Sequence, residues 1–273
     1  MVVFILTFCQ NITELLFIDV TNSTKKMDHA KENTDWYEWM SMTKAVIGTL
    51  FFIHTTKQQR KQTFLAQNIS LEDILLGTTG RSNDETFDYD KFRNVVESNQ
   101  DINKYAMKRF KVQETPADGF TYNNISWQLA ASVFEGLCGI TLTDAFEKLV
   151  GNTNEWHWET DVNGQELAPH GIKGSKIAAM HFGNVCFSVL PRMQRKMTHT
   201  GKGWWTPAIG FAYGWWFVNK DYAFARGYQA QNIVVNWKKK TTRVQLRKEF
   251  WTEPNDQERR FVLLEAWAGT IIE

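Results

Sequence analysis

Cysteine is scarce in this sequence. Cys9, Cys138 and Cys186 form an odd, widely spaced set without a CxxC pair, which indicates neither a disulfide framework nor a zinc site. An excess of one charge is missing as well: 31 Lys and Arg against 30 Asp and Glu leave a net charge of +1. Nonspecific phosphate binding needs a broad basic field, so nucleic acid is not an expected partner. Long apolar runs are also absent. The opening Met1–Cys9 and the stretch Ala45–Ile53, interrupted by Gly48 and Thr49, fall well short of the roughly 18 residues of a membrane span. The opening has no basic n-region and no small-residue cleavage site behind it. It reads as a buried strand, and a cytoplasmic location is favoured over a periplasmic or secreted one.

What is present is the composition of a packed, enzyme-sized protein. The 273 residues are 43% hydrophobic and 22% charged, ordinary globular usage that excludes a disordered or fibrous chain. The 12 Trp exceed what a core needs and fit a cleft lined by flat apolar surfaces. In the pairs Trp204-Trp205 and Trp215-Trp216, alternation along a strand sends one member into the core and leaves the other for the cleft.

Two short strands, Val3–Cys9 and Leu15–Val20, open the chain. Ser41 then starts a helix whose apolar residues surround it on all sides, the mark of an interior position. Ser70-Leu71-Glu72-Asp73 reads as a capping-box helix start. Periodicity predicts further helices at about 90–113, at about 126–150 and at Ile177–Val189, with a turn-rich stretch at Trp156–Gly174. Strands are predicted at Phe211–Val218, Tyr222–Ala225, Asn232–Trp237 and Thr242–Leu246, with Lys238-Lys239-Lys240 as a solvated turn and Arg260–Ile272 as a closing helix. Strands at both ends with helices between them exclude an alternating parallel fold. They imply an α+β fold: one antiparallel sheet built from the N- and C-terminal segments, flanked by helices, around a mostly helical insertion. The expected organisation is a single domain over 1–273, with a sheet part at 1–60 plus 205–273 and a helical part at 61–204.

Ser41-Met42-Thr43-Lys44 is an SxxK element at the head of the buried helix. Residue i+3 returns to the face of residue i, so hydroxyl and amine can touch. Serine is a poor nucleophile until a base takes its proton, and a lysine can be that base only where burial lowers its pKa. The competing reading makes Ser41 a helix cap and leaves Lys44 in water. A second element, Tyr122-Asn123-Asn124, precedes another helix. A phenol beside a lysine cation has its phenolate favoured and can shuttle protons, while the Asn124 amide can hold a substrate amide. In the competing reading the Tyr122 hydroxyl merely caps the helix.

These segments, with Ile69–Gly80 and Tyr213-Gly214-Trp215-Trp216 in that chain order, resemble the serine hydrolases of the class C β-lactamase and penicillin-binding-protein fold. The resemblance runs from about residue 15 to 245 and is nearest to the branch of esterases and 6-aminohexanoate-dimer hydrolases. It implies catalysis by Ser41, Lys44 and Tyr122 through an acyl-enzyme, no cofactor or metal, and a small-molecule amide or ester as substrate. A noncatalytic or slow-turnover binder of peptides or β-lactams is the alternative. The resemblance also implies a third element on a strand after the Gly-Trp strand. His199-Thr200-Gly201 matches it by letters but comes too early, so Ala225-Arg226-Gly227-Tyr228 is favoured. Asn124, Gly227 and Tyr228 would then bind substrate, with the backbone N–H groups of Ser41 and Tyr228 as the oxyanion hole. Gln229 and Ala230 depart from that branch, which has glycines there. Ester, linear amide and β-lactam substrates stay open. Trp156-His157-Trp158 offers one good metal ligand, too few for a site, and Glu166 is read as a loop residue.

Overall fold

The computed structural model describes residues 35–62, 69–79, 89–110, 119–151, 153–200, 208–228 and 231–248. All of them belong to one compact unit, Thr34–Glu273. The two predicted opening strands, the predicted closing helix, Trp204-Trp205, Gln229 and Ala230 lie outside the described residues.

Strand β1 (Tyr37–Glu38) leads into helix α1 (Met42–His54), followed by α2 (Lys57–Lys61), α3 (Leu71–Leu76), α4 (Tyr89–Glu97), α5 (Ile102–Arg109), α6 (Asn124–Ala131), α7 (Phe134–Cys138) and α8 (Leu142–Val150). Next come β2 (Trp156–Trp158), β3 (Ile172–Gly174), α9 (Lys176–Val185) and α10 (Leu190–Gln194). The chain then makes β4 (Thr198–His199), β5 (Gly210–Ala212), β6 (Trp215–Phe217), β7 (Tyr222–Gly227), β8 (Gln231–Asn236) and β9 (Thr241–Gln245). These last six form one sheet in sequence order, antiparallel throughout, and β1-β3-β2 form a small second sheet. The α+β class read from the sequence is therefore observed. Among the described residues the large sheet comes from the C-terminal segment, and no helix is long and apolar enough to cross a membrane.

Each long predicted helix in the middle of the chain is broken. At the first break Asn99 takes a left-handed φ of 53°, and the Asp101 carboxylate accepts from Lys104 N at 2.7 Å, which caps α5 afresh. At the second, Gly139 ends α7 with φ 70° and Thr141 caps α8. The single strand predicted over Phe211–Val218 is a hairpin. Tyr213 and Gly214, at φ 55° and 80°, form its two-residue turn, the geometry that matches the twist of paired strands. A positive φ is costly for tyrosine. It is held by Tyr213 N donating to Leu75 O at 2.6 Å and by the ring packing edge-on against Phe52 at 5.0 Å. The small sheet has strands of two or three residues, too short for alternation to show in the sequence.

Helix α1 is buried from Met42 to Phe52, as its all-round apolar pattern requires. Trp215 Nε1 donates to Thr49 Oγ1 at 3.0 Å, which ties α1 to the sheet. Helix α9 lies so close to β8 and β9 that a Cβ on Gly183 would sit 2.4 Å from Thr242 Cγ2. The capping box at α3 forms as read: Asp73 N donates to Ser70 Oγ at 3.1 Å, and Ser70 N donates to Asp73 Oδ2 at 2.8 Å. From α3 hang two segments that matter for the site. Thr121 N donates to Gly77 O at 2.7 Å, and Tyr213 N bonds Leu75. Ser70→Ala is therefore expected to cost about 1 kcal/mol, read as a lower urea midpoint at unchanged slope.

Candidate active site

Ser41 occupies the N-cap position of α1, yet its side chain makes no capping hydrogen bond. Its hydroxyl meets Lys44 instead, one turn on, with Nζ 2.9 Å from Oγ. Lys44 is only 1% exposed, so the solvated-lysine reading does not hold. Its amine also donates to Pro169 O at 2.8 Å. Burial pushes this amine well below the ordinary value of 10.5. A neutral amine has two N–H donors and one lone pair. It can satisfy Pro169 with a donor and turn the lone pair toward the serine proton.

The Tyr122 phenol lies close enough to the same serine for the Ser41 hydroxyl to favour its ionisation against the larger effect of burial. Its ring centroid lies 5.0 Å from Lys44 Nζ. The cap of α6 is supplied by Asn123, whose Oδ1 accepts from Ser126 N at 3.1 Å. The phenol is thus not spent on capping. Its expected ionisation is reversed, however. Burial is the dominant influence and pushes the phenol up from 10, so it rests protonated. The cation invoked to favour a phenolate is itself suppressed by burial.

Asn124 is the first residue of α6 and is buried. Gly227 ends β7 directly beneath the turn that carries Ser41. A Cβ there would lie 2.3 Å from Trp39 O and 2.9 Å from Met40 Cβ, so only glycine lets strand and turn approach. The next residue, Tyr228, is 61% exposed. His199 sits on β4 at the sheet edge, three strands from β7, and bonds Ile209 O. Gly227, and not His199, thus lies against the Trp39-Met40 backbone that leads into Ser41. His157 is exposed on β2. Glu166 accepts from Thr143 N at 3.1 Å at the head of α8.

The sequence reading missed three contributors. Met40, with φ 54° and fully buried, holds a strained backbone immediately before Ser41. Pro169 supplies the acceptor for Lys44 from a loop pinned at several points. Trp158 Nε1 donates to Leu167 O at 3.2 Å, Ala168 N donates to Gln128 Oε1 at 2.9 Å, and Gly171 N donates to Leu167 O at 2.9 Å. Gln128 lies on α6, so one helix fixes both the tyrosine and the lysine's acceptor. Next in the loop, His170 is buried edge-on to Phe92 at 6.1 Å. Burial is the largest influence on its imidazole and pushes it well below 6.5. No short motif marks any of the three.

Trp215 and Trp216 are both buried, which corrects the expectation that one of them faces the cleft. Trp215 packs on Phe182 and Thr49, and Trp216 on Phe120, Phe211, Phe224 and Tyr122. Both faces of the hairpin are covered.

The sequence matches no family profile and no curated protein. Solved structures do match the fold. A Bacillus anthracis protein named as a 6-aminohexanoate-dimer hydrolase is 13% identical over 86% of this chain and 74% of its own, with a TM-score of 0.60. A β-lactamase/D-alanine carboxypeptidase from Yersinia pestis is 12% identical over 85% and 84%, with a TM-score of 0.58. The D-amino acid amidase of Ochrobactrum anthropi is 12% identical over 86% and 94%, with a TM-score of 0.57. With its antiparallel sheet, the helices that precede it and these structural neighbours, the chain has the fold shared by β-lactamases and penicillin-binding-protein homologues.

Proposed function

We propose that this protein is a serine hydrolase that opens an amide or ester bond of a small molecule through an acyl-enzyme on Ser41. One observation carries the reading: a buried lysine amine, its pKa pushed well below the ordinary value by burial, lies 2.9 Å from the serine hydroxyl at the head of the same helix. Lys44 takes the Ser41 proton as Oγ attacks the carbonyl carbon. The backbone N–H groups of Ser41 and Tyr228 receive the oxyanion, a contribution for which loss of one donor costs about 2.7–4 kcal/mol in other enzymes. Asn124 and the Gly227 strand end hold the substrate. The C–N or C–O bond then breaks, Tyr122 gives its proton to the leaving group, and the Lys44 ammonium returns one to the phenol. Water repeats the cycle to free the acid and Ser41.

The test is a fluorophosphonate or penicillin probe followed by intact mass, run beside ester and amide turnover. Labelling of the wild-type chain, its loss in Ser41→Ala, and turnover of an ester or amide are expected. A penicillin adduct that forms on Ser41 and is not released, without turnover of any ester or amide, would make the protein a slow binder of the same fold. No labelling of Ser41 by either probe would remove the proposal.

A further inference from the structure

We infer that Trp216, which touches no substrate, is a positioning residue that holds the Tyr122 phenol on Ser41. This deepens the reading under Proposed function and rests on it. The Trp216 indole stacks on the Tyr122 ring, with centroids 6.1 Å apart and planes 24° from parallel. The indole is itself fixed by Phe211 at 4.9 Å and Phe120 at 5.4 Å, both edge-on, and by Phe224, stacked at 6.5 Å. At 3% exposure it cannot be a wall of the cleft. Its backbone is equally constrained. Trp216 pairs with Phe211 on one side and Phe224 on the other, two residues after the turn that is bonded to α3. Tyr122 precedes α6 and is tied to the rest of the site through the Thr121 bond to Gly77. The phenol therefore sits at the end of a loop, with the stacked indole along the plane of its ring and Phe211 edge-on to it at 6.2 Å. An offset stack of this kind constrains orientation as well as burying area.

The consequence is specific to leaving groups. A p-nitrophenolate departs as a stable anion and needs little protonation, whereas an alkoxide must receive a proton as the C–O bond breaks. Misplacing the Tyr122 hydroxyl should therefore penalise an alkyl ester far more than an activated one. Comparing p-nitrophenyl butyrate with ethyl butyrate by kcat/KM, we expect Trp216→Leu to lose about tenfold to a hundredfold more on the ethyl ester. Trp216→Phe, which keeps a flat ring, should show a smaller split in the same direction, and it carries the test if the leucine variant does not fold. Phe134→Leu is the packing control. It removes a buried core ring that packs edge-on against Phe51 and His54 instead, so it should lower the melting temperature and leave the ratio of the two esters unchanged. An equal loss on both esters in the Trp216 variants, or the same split in Phe134→Leu, would overturn the inference while Ser41 and Lys44 keep their roles. A wild-type chain that hydrolyses neither ester nor amide would remove the inference together with the function beneath it.

Discussion

Lys44→Met is expected to lower turnover of an ester or amide by roughly 10²- to 10⁴-fold, the range over which a positioned proton acceptor contributes. Methionine fills the space of the lysine stem and cannot take a proton, so the variant tests the base without opening a cavity. The pH profile gives the sharper reading. Burial holds the Lys44 amine well below 10.5, so in the wild-type chain kcat/KM should rise with pH through that lowered value and then level off. Burial also pushes the Tyr122 phenol upward, so the plateau should persist at least to pH 10. Retained turnover in Lys44→Met, or an acid limb unchanged by it, would assign the base elsewhere.

The same residue sets a pH dependence of stability. In the unfolded chain a lysine binds its proton up to about 10.5, whereas the buried amine of the folded chain has released it at a lower pH. Between those two values unfolding takes up a proton, so stability climbs as pH rises and falls as pH drops. Lys44→Met should flatten that slope in urea titrations taken at several pH values. An unflattened slope would mean that the Lys44 amine is not what titrates. A lysine buried in the core costs stability, and groups kept at such a cost cluster at functional sites.

The contact between Ser41 and Lys44 was legible because a helix turns residues three apart into neighbours whatever surrounds it. The tyrosine and Gly227 were legible through chain order and resemblance, not through any local rule. Other parts of the site could not be read in this way. Pro169 matters through its carbonyl, which every residue type has. Met40 matters through a backbone angle that its side chain does not advertise. One of Trp215 and Trp216 was expected to line the cleft because alternation assumes one open face, whereas both faces of the hairpin are packed. The hairpin itself was hidden because its turn is Tyr213-Gly214, without the Asn-Gly or Asp-Gly signal that announces such turns. The long predicted helices failed for a related reason. Apolar periodicity continues across Asn99 and Gly139, but the backbone reverses hand there.

Gly48→Ala is expected to destabilise the protein by about 1–3 kcal/mol, although helix propensity alone predicts a gain of about 1 kcal/mol for alanine over glycine inside a helix. The sign turns on what lies against α1. A Cβ on Gly48 would fall 2.0 Å from Tyr213 O and 2.7 Å from Tyr213 Cα, backbone atoms that cannot rotate aside. The turn cannot retreat easily either. Gly214 presses on the same helix from the other partner, where its own Cβ would meet Lys44 O at 2.3 Å, and Tyr213 is anchored to Leu75. Relief therefore requires the hairpin or α1 to move at the turn that carries Lys44, so turnover should fall along with stability. Gly136→Ala gives the comparison. That glycine lies exposed within α7 with nothing within 4 Å of its Cβ position, so alanine there should be neutral or stabilising by up to about 1 kcal/mol. Urea midpoints for the two variants should move in opposite directions. A Gly48→Ala protein as stable as Gly136→Ala would mean that α1 and the hairpin are not in backbone contact, and the positions of Lys44 and Trp216 would need another support.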